Sequence, residues 1–260
     1  LKILMMVPSE ADAYKYALCM ELRQDGFRYA FIDPKSKVVA YYNSIEFDTV
    51  DQEGLAAILD NSAYFKYEFQ SVLISVSSAR HTIVPDAIFN ASNPKDIFKL
   101  NHTSPIDNLD YRRLPELGLI SIYEIPLWIK SVFVKRFLRS KINHHSTVLL
   151  KGIFATSQYK PKAYLYKEHG LFYIAMTDKN KLIFFNLFES KELADLVYYY
   201  LYSLEQKGFD ATQIVLTVFG LDEGDEVYRQ LKDLVSSPIE LSKKTNQQNL
   251  FMLTNQLLCV

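Results

Sequence analysis

The sequence predicts a duplicated α/β fold, two tandem domains that each run strand, strand, strand, helix, strand, helix, strand, helix. The expected domains are residues 1–145 and 146–260. Two observations carry this expectation. One hairpin is written twice: displaced by 144 positions, Gly26 to Tyr41 falls on Gly170 to Phe185, with Gly, Tyr and two Lys coinciding and most other positions exchanging one apolar residue for another. Each copy reads as strand, polar turn, strand, and each is followed by the same alternation of helix and strand, so the repeated unit is larger than a hairpin.

In the first half, Tyr14 to Leu22 fits either a strand or a helix, and Gln24-Asp25-Gly26 is a turn. Strands follow at Phe27 to Asp33 and Val38 to Phe47. Val50 to Leu59 spaces its apolar residues as a helix does, and Asp60-Asn61 ends it. Ser71 to Val76 is a buried strand, and Thr82 to Val84 is extended. Pro85 is expected to open a helix through Phe89, since proline suits the first helical position. Leu119 to Ile125 is the last strand of this half, and a helix runs from Pro126 to Ser140.

The second half has strands at Ala163 to Tyr166, Leu171 to Met176 and Leu182 to Leu187. The strongest helix follows, with Leu193, Leu196, Val197, Tyr200, Leu201 and Leu204 on one face and Gly208 as its cap. Then come a strand at Gln213 to Val218, a helix at Asp222 to Val235, a strand at Ile239 to Leu241 and a helix at Asn246 to Leu258. Acidic residues at the start of the Asp222 helix complement its dipole. Lys141 to Ser146 reads as the linker, leading into a helical stretch at Val148 to Phe154 that Ser146 or Thr147 caps.

At 260 residues either half can bury a core, and a net charge of −1 gives no electrostatic ground for binding nucleic acid. Thirty-five Tyr and Phe fall mainly in strand-like runs, where ring packing accounts for them. The two cysteines, Cys19 and Cys259, form no framework and favour a reducing, cytoplasmic location. Leu1 to Val7 is too short for the apolar core of a secretion signal. No apolar stretch approaches the ~20 residues of a transmembrane span.

The order of elements resembles the ribonuclease H-like fold as it is duplicated in actin-like ATPases. Three pieces, His81 to Phe89, Leu182 to Phe188 with the helix after it, and Val215 to Gly220, resemble an uncharacterised bacterial family with an actin-like ATPase fold and no assigned activity. The resemblance implies that phosphates would lie on the first hairpin turn of each domain, held by backbone amides at Asp-x-Gly signatures with an aspartate acting through a metal ion. Here those turns are Arg23-Gln-Asp-Gly26 and Lys167-Glu-His-Gly170, and neither carries the signature. The adenosine side would need a glycine pair, and Gly220-Leu-Asp-Glu-Gly224 is the nearest match. Its neighbours Asp222, Glu223, Asp225 and Glu226 would repel an anion, while hard cations accept such oxygens. If nucleotide binds, the residues that hold it are therefore Asp25, Gly26, Gly170, Gly220 and Gly224.

Other chemistry is weakly supported. His144-His145 lacks further ligands at finger-like spacing and reads as linker or surface. His81 would act as a general base only beside a substrate. No Gly-x-Ser-x-Gly elbow, P-loop or His-Glu-x-x-His helix occurs. The helix after Pro126 turns Trp128, Ile129, Val132, Phe133 and Phe137 inward and carries Lys130, Lys135, Arg136, Arg139 and Lys141 elsewhere; packed on the sheet, it reads first as a solvated basic face, and alternatively as a site for an anionic membrane surface or an acidic partner. The expectation is a cytoplasmic, non-catalytic binding or scaffolding protein with no cofactor, no catalytic residue and no metal site. Its partner is a protein of unknown identity, with docking to a membrane-anchored protein in view. The alternative is a divergent ATPase or sugar-kinase-like enzyme using ATP and Mg in the cleft between the halves.

Overall fold

The computed structural model describes residues 8–156, 159–168, 170–190, 192–221, 223–242 and 250–260. The opening run Leu1 to Val7, His169 and Asp222 of the candidate turns, and the Asn246 start expected for the last helix lie outside the described residues. The chain divides into two compact units, Leu1–Gly152 with Met252–Val260, and Ile153–Phe251. The division thus falls after Gly152 rather than after residue 145, and the C-terminal segment returns to the first unit.

The first unit contains β1 (Ala17–Leu22), β2 (Gly26–Ile32), β3 (Val39–Glu46), α1 (Gln52–Asn61), β4 (Ser71–Val76), β5 (His81–Pro85), α2 (Pro94–Lys99), β6 (Leu109–Leu114), β7 (Leu119–Glu124), α3 (Leu127–Arg136), β8 (Lys141–His144) and α4 (His145–Ile153). The second contains β9 (Lys162–Glu168), β10 (Leu171–Asp178), β11 (Lys181–Glu189), α5 (Leu193–Gln206), β12 (Val215–Phe219), α6 (Glu226–Leu234) and β13 (Ile239–Leu241), and the chain then enters α7 (Phe251–Asn255). The two main sheets have the same order, β3-β2-β1-β4-β8 and β11-β10-β9-β12-β13, with an antiparallel meander followed by parallel strands. Duplication of the ribonuclease H-like unit is therefore structural.

Three readings of the first half change. Leu119–Glu124 is not the fifth strand of the main sheet but the centre of a separate sheet, β5-β7-β6, inserted after β4. The fifth strand is β8, in the stretch expected to be linker, where Lys141 to His144 pair parallel with Leu73 to Val76. Four residues, three of them polar, carry too little local pattern to show a pairing made across 68 positions of sequence. Pro85 ends β5 rather than opening an α-helix, and only a 3-10 turn at Asp86–Ile88 follows.

Alternation along β1 assigns its two faces. Leu18, Met20 and Leu22 join Phe27, Tyr29 and Phe31 of β2 and Ile74 and Val76 of β4 in one core, covered by Leu55 and Leu59 of α1 and by Ile129, Val132 and Phe133 of α3. Each such side chain removed from water stabilises the unit by roughly 1.5–3 kcal/mol as an upper figure. Asp51 caps α1 by accepting a hydrogen bond from the Gly54 amide at 2.8 Å. Cys19, Glu21 and Ser75 point to the other face, where the returning C-terminus lies. There Gln256, fully buried, donates to the Met20 carbonyl at 2.8 Å and to Ser75 Oγ at 2.9 Å. Both cysteines are buried and free, and burial pushes both thiols up, that of Cys259 to about 11.

In the second unit Leu196, Tyr200 and Leu204 of α5 pack with Phe172, Ile174 and Met176 of β10. Glu192 and Asp195 form a reciprocal capping box at the start of α5. The β10–β11 turn places Lys179 and Asn180 at φ 50° and 60°, the positive angles of a two-residue type I′ hairpin.

The inserted sheet is held to the main one through a ring stack. The imidazole of His144 lies 5.0 Å from that of His81 on β5 and 5.3 Å from the Tyr123 ring on β7. His144 Nδ1 accepts from the Ser146 amide at 3.1 Å, which leaves the proton on Nε2, and Nε2 donates to the Ser78 carbonyl at 2.8 Å. His144 and His145 are therefore buried, not surface linker residues. Burial, with His102 nearby, pushes His81 down to about 3; burial, with His81 beside it, holds His144 well below the usual imidazole value.

Two outcomes follow. Phe27→Ala removes a ring packed on Tyr29, Phe65 and Phe133, and calorimetry or urea unfolding should show a loss of about 3–5 kcal/mol. The folded state disfavours protonated His81 and His144, so their contribution is complete above the unfolded value of about 6.5 and declines as pH falls below it. Urea midpoints should accordingly drop between about pH 7.5 and pH 5.5, and His81→Phe, which keeps a ring in the stack, should flatten that slope.

Candidate functional site

In an actin-like frame the site to inspect in each unit is the turn after its first strand. In the first unit that turn follows β1, whose Leu22 pairs with Phe27, and the Arg23 amide donates to the Gly26 carbonyl at 2.9 Å. Only Gln24 and Asp25 remain to make the connection. Arg23 then folds back on the turn: Nε donates to Asp25 Oδ1 at 2.7 Å and Nη2 to Asp25 Oδ2 at 2.5 Å. The side chains are 11% and 22% exposed, so this forked pair is largely withdrawn from water. The Asp25 carbonyl accepts from the Phe47 amide at 3.2 Å, tying the turn to the end of β3. Gly26 is explained by space rather than by φ: a Cβ there would stand 2.9 Å from the Ile45 carbonyl oxygen.

The corresponding turn of the second unit joins β9 to β10. Gly170 has φ +67°, a left-handed position that glycine takes without strain, and its carbonyl accepts from the Ser190 amide at 3.0 Å. Gly220, at the end of β12, has φ +81°, and a Cβ on it would stand 3.1 Å from the Lys167 carbonyl oxygen. The parallel pairing of Phe219 with Tyr166 brings it there. The second unit thus places Gly220 beside the stem of the Gly170 turn. Gly224 lies farther along, in an exposed turn leading to α6, where its carbonyl accepts from Arg229 at 3.5 Å. Glu223 and Glu226 are exposed and Asp225 half-exposed, as solvated acids at a helix N-terminus are.

These residues do not fit a magnesium-nucleotide site in the first unit. A metal-bridging aspartate needs its charge free for the cation, and both oxygens of Asp25 already accept from one guanidinium that neutralises it. A two-residue connection also leaves no run of amides to wrap a phosphate. In the second unit a left-handed glycine beside another backbone gives close approach, but the acids past Gly220 oppose a polyanion.

Sequence reasoning missed a buried polar group behind the first turn. Glu21 is fully buried, and its Oε1 lies 3.8 Å from His145 Nε2, also fully buried. Register places Ser75 of β4 beside Glu21 and Asn143 of β8 beside Ser75 on the same face. The legible signal was a single acid inside the otherwise apolar Ala17–Leu22 run, since a central strand rarely hides a carboxylate without a partner. Arg23 was missed as well, although an arginine two residues before an aspartate in a tight turn is placed to pair with it.

Among the described residues no helix is long and apolar enough to cross a membrane. A comparison with curated proteins finds no match. The structure is similar to a Bacteroides thetaiotaomicron protein with actin-like ATPase fold and unknown function, at 20% identity and TM-score 0.83, covering 95% of this chain and 99% of that one. It is similar to the PilM-PilN type IV pilus biogenesis complex at 12% identity and TM-score 0.65, covering 93% and 96%. A third likeness is to the cytoplasmic domain of EpsL, an inner membrane component of the type II secretion system of Vibrio cholerae, at 10% identity and TM-score 0.52, covering 94% and 95%. These likenesses establish an actin-like ATPase fold. With a family model matching residues 9–237, the chain belongs to the family described as "Protein of unknown function (DUF3822)".

Proposed function

We propose that this chain is a non-catalytic binding or scaffolding protein of the cytoplasm, built on an actin-like frame and docking a membrane-anchored protein. The observation that carries the reading is the Arg23–Asp25 fork. It neutralises the carboxylate of the first phosphate-position turn and closes that turn on itself. Two proteins with similar folds, PilM in its complex with PilN and the cytoplasmic domain of the inner membrane component EpsL, support a docking role by analogy. The reading requires no cofactor. ATP with Mg²⁺ belongs to the competing reading, a divergent ATPase or sugar-kinase relative using Asp25, Gly26, Gly170, Gly220 and Gly224.

Calorimetric titration with Mg²⁺-ATP should give no binding in the micromolar range. Micromolar binding with slow hydrolysis would overturn the proposal. Asp25→Ala should lower stability by about 1 kcal/mol, the contribution of a charged pair largely withdrawn from water, and leave nucleotide titrations unchanged. Affinity capture of the full chain from solubilised membranes should enrich an integral membrane protein; enrichment of soluble proteins alone would remove the docking claim.

A further inference from the structure

Among the described residues, nothing covers the outer face of α3. Ile129, Val132 and Phe133 enter the core, while Leu127 and Val134 on the opposite side are 66% and 45% exposed. Leu138, in the turn after α3, continues the same line at helical spacing and is 87% exposed. Cations flank this apolar line. Lys130 is held by Asp110, but Lys135, Arg139 and Lys141 are exposed, and none has a carboxylate within 4.0 Å among the described residues. The sequence sharpens the asymmetry: from Ile125 to Lys167 the chain contains no Asp or Glu and nine Lys or Arg, although its net charge is −1.

We infer that this tip, residues 127–141, is a contact site for an anionic lipid bilayer. Apolar side chains that project from a turn enter the acyl boundary, while the lysines and arginine around them meet lipid phosphates. A peptide would be held differently, by a groove or by a free strand edge, and this feature is a helix face ending in a projecting turn. The inference is independent of the scaffolding proposal, since a membrane contact serves an enzyme as well as a scaffold.

Flotation of the full chain with vesicles tests it. Vesicles of phosphatidylcholine with about 30% phosphatidylglycerol should carry the protein at low salt and release it at about 0.5 M salt, and phosphatidylcholine alone should not carry it. The triple variant Lys135→Glu, Arg139→Glu, Lys141→Glu should lose on the order of 100-fold in partitioning, about fivefold for each cation lost. Leu138→Asp should weaken binding several-fold while the salt dependence remains. All four positions are exposed, so an unchanged melting temperature should accompany these losses. The control Lys160→Glu, Lys181→Glu removes exposed cations of the second unit and should bind as the parent does. The inference is overturned if anionic vesicles do not carry the protein, if the control loses as much as the triple variant, or if poly-glutamate is bound and vesicles are not.

Discussion

The first unit depends on covering both faces of β1. This strand lies between an antiparallel and a parallel neighbour, and all six of its residues are buried. A strand so placed needs apolar cover above and below. One face receives α1 and α3, which follow in sequence. The other receives the C-terminal segment, more than two hundred residues later, with Gln256 bonded to the β1 backbone and to Ser75. The returning segment is therefore part of the first unit's core, and a boundary drawn once along the chain cannot describe the units.

That packing bears on the candidate site. With β1 and β2 locked in register from Ala17–Ile32 to Leu22–Phe27, the connection between them is confined to Gln24 and Asp25. Arg23 and Asp25 then satisfy one another within it. A fold that commonly holds phosphate at this turn here has a neutral, closed hairpin at that position. Behind it, Glu21 and His145 place a carboxylate and an imidazole together in a fully buried setting. In the second unit, Gly170 and Gly220 keep the left-handed backbone that glycine favours, and Gly220 alone of the two lies against another backbone, at the Lys167 carbonyl.

Much of the architecture was legible because it is written in local periodicity. The repeated hairpin, α5 with its one-sided apolar face and the strands of the second meander have strong patterns, and duplication made each half support the other, whereas β1, buried throughout, read equally as strand or helix. What was not legible rests on distant pairing. β8 is short and polar, so only its partner β4 identifies it. His144 and His145, side by side and polar, look like surface until a ring stack and a buried glutamate claim them. Residues 90–118, which build α2 and β6 of the inserted sheet, carry mixed polar and apolar residues with no clear period. At the candidate site, the glycines and Asp25 were visible as residue types, whereas Arg23's occupation of Asp25 is a matter of side-chain geometry.

The central proposal is that the β1–β2 turn, closed by its own ion pair, takes no nucleotide phosphate. A high-resolution crystal structure of the full chain grown with a non-hydrolysable ATP analogue and Mg²⁺ tests it most directly. The account predicts the Arg23–Asp25 fork intact, with no nucleotide density at Gly26, Gly170 or Gly220. Density for a triphosphate at these turns, with Asp25 swung away from Arg23 toward a magnesium ion, would contradict it.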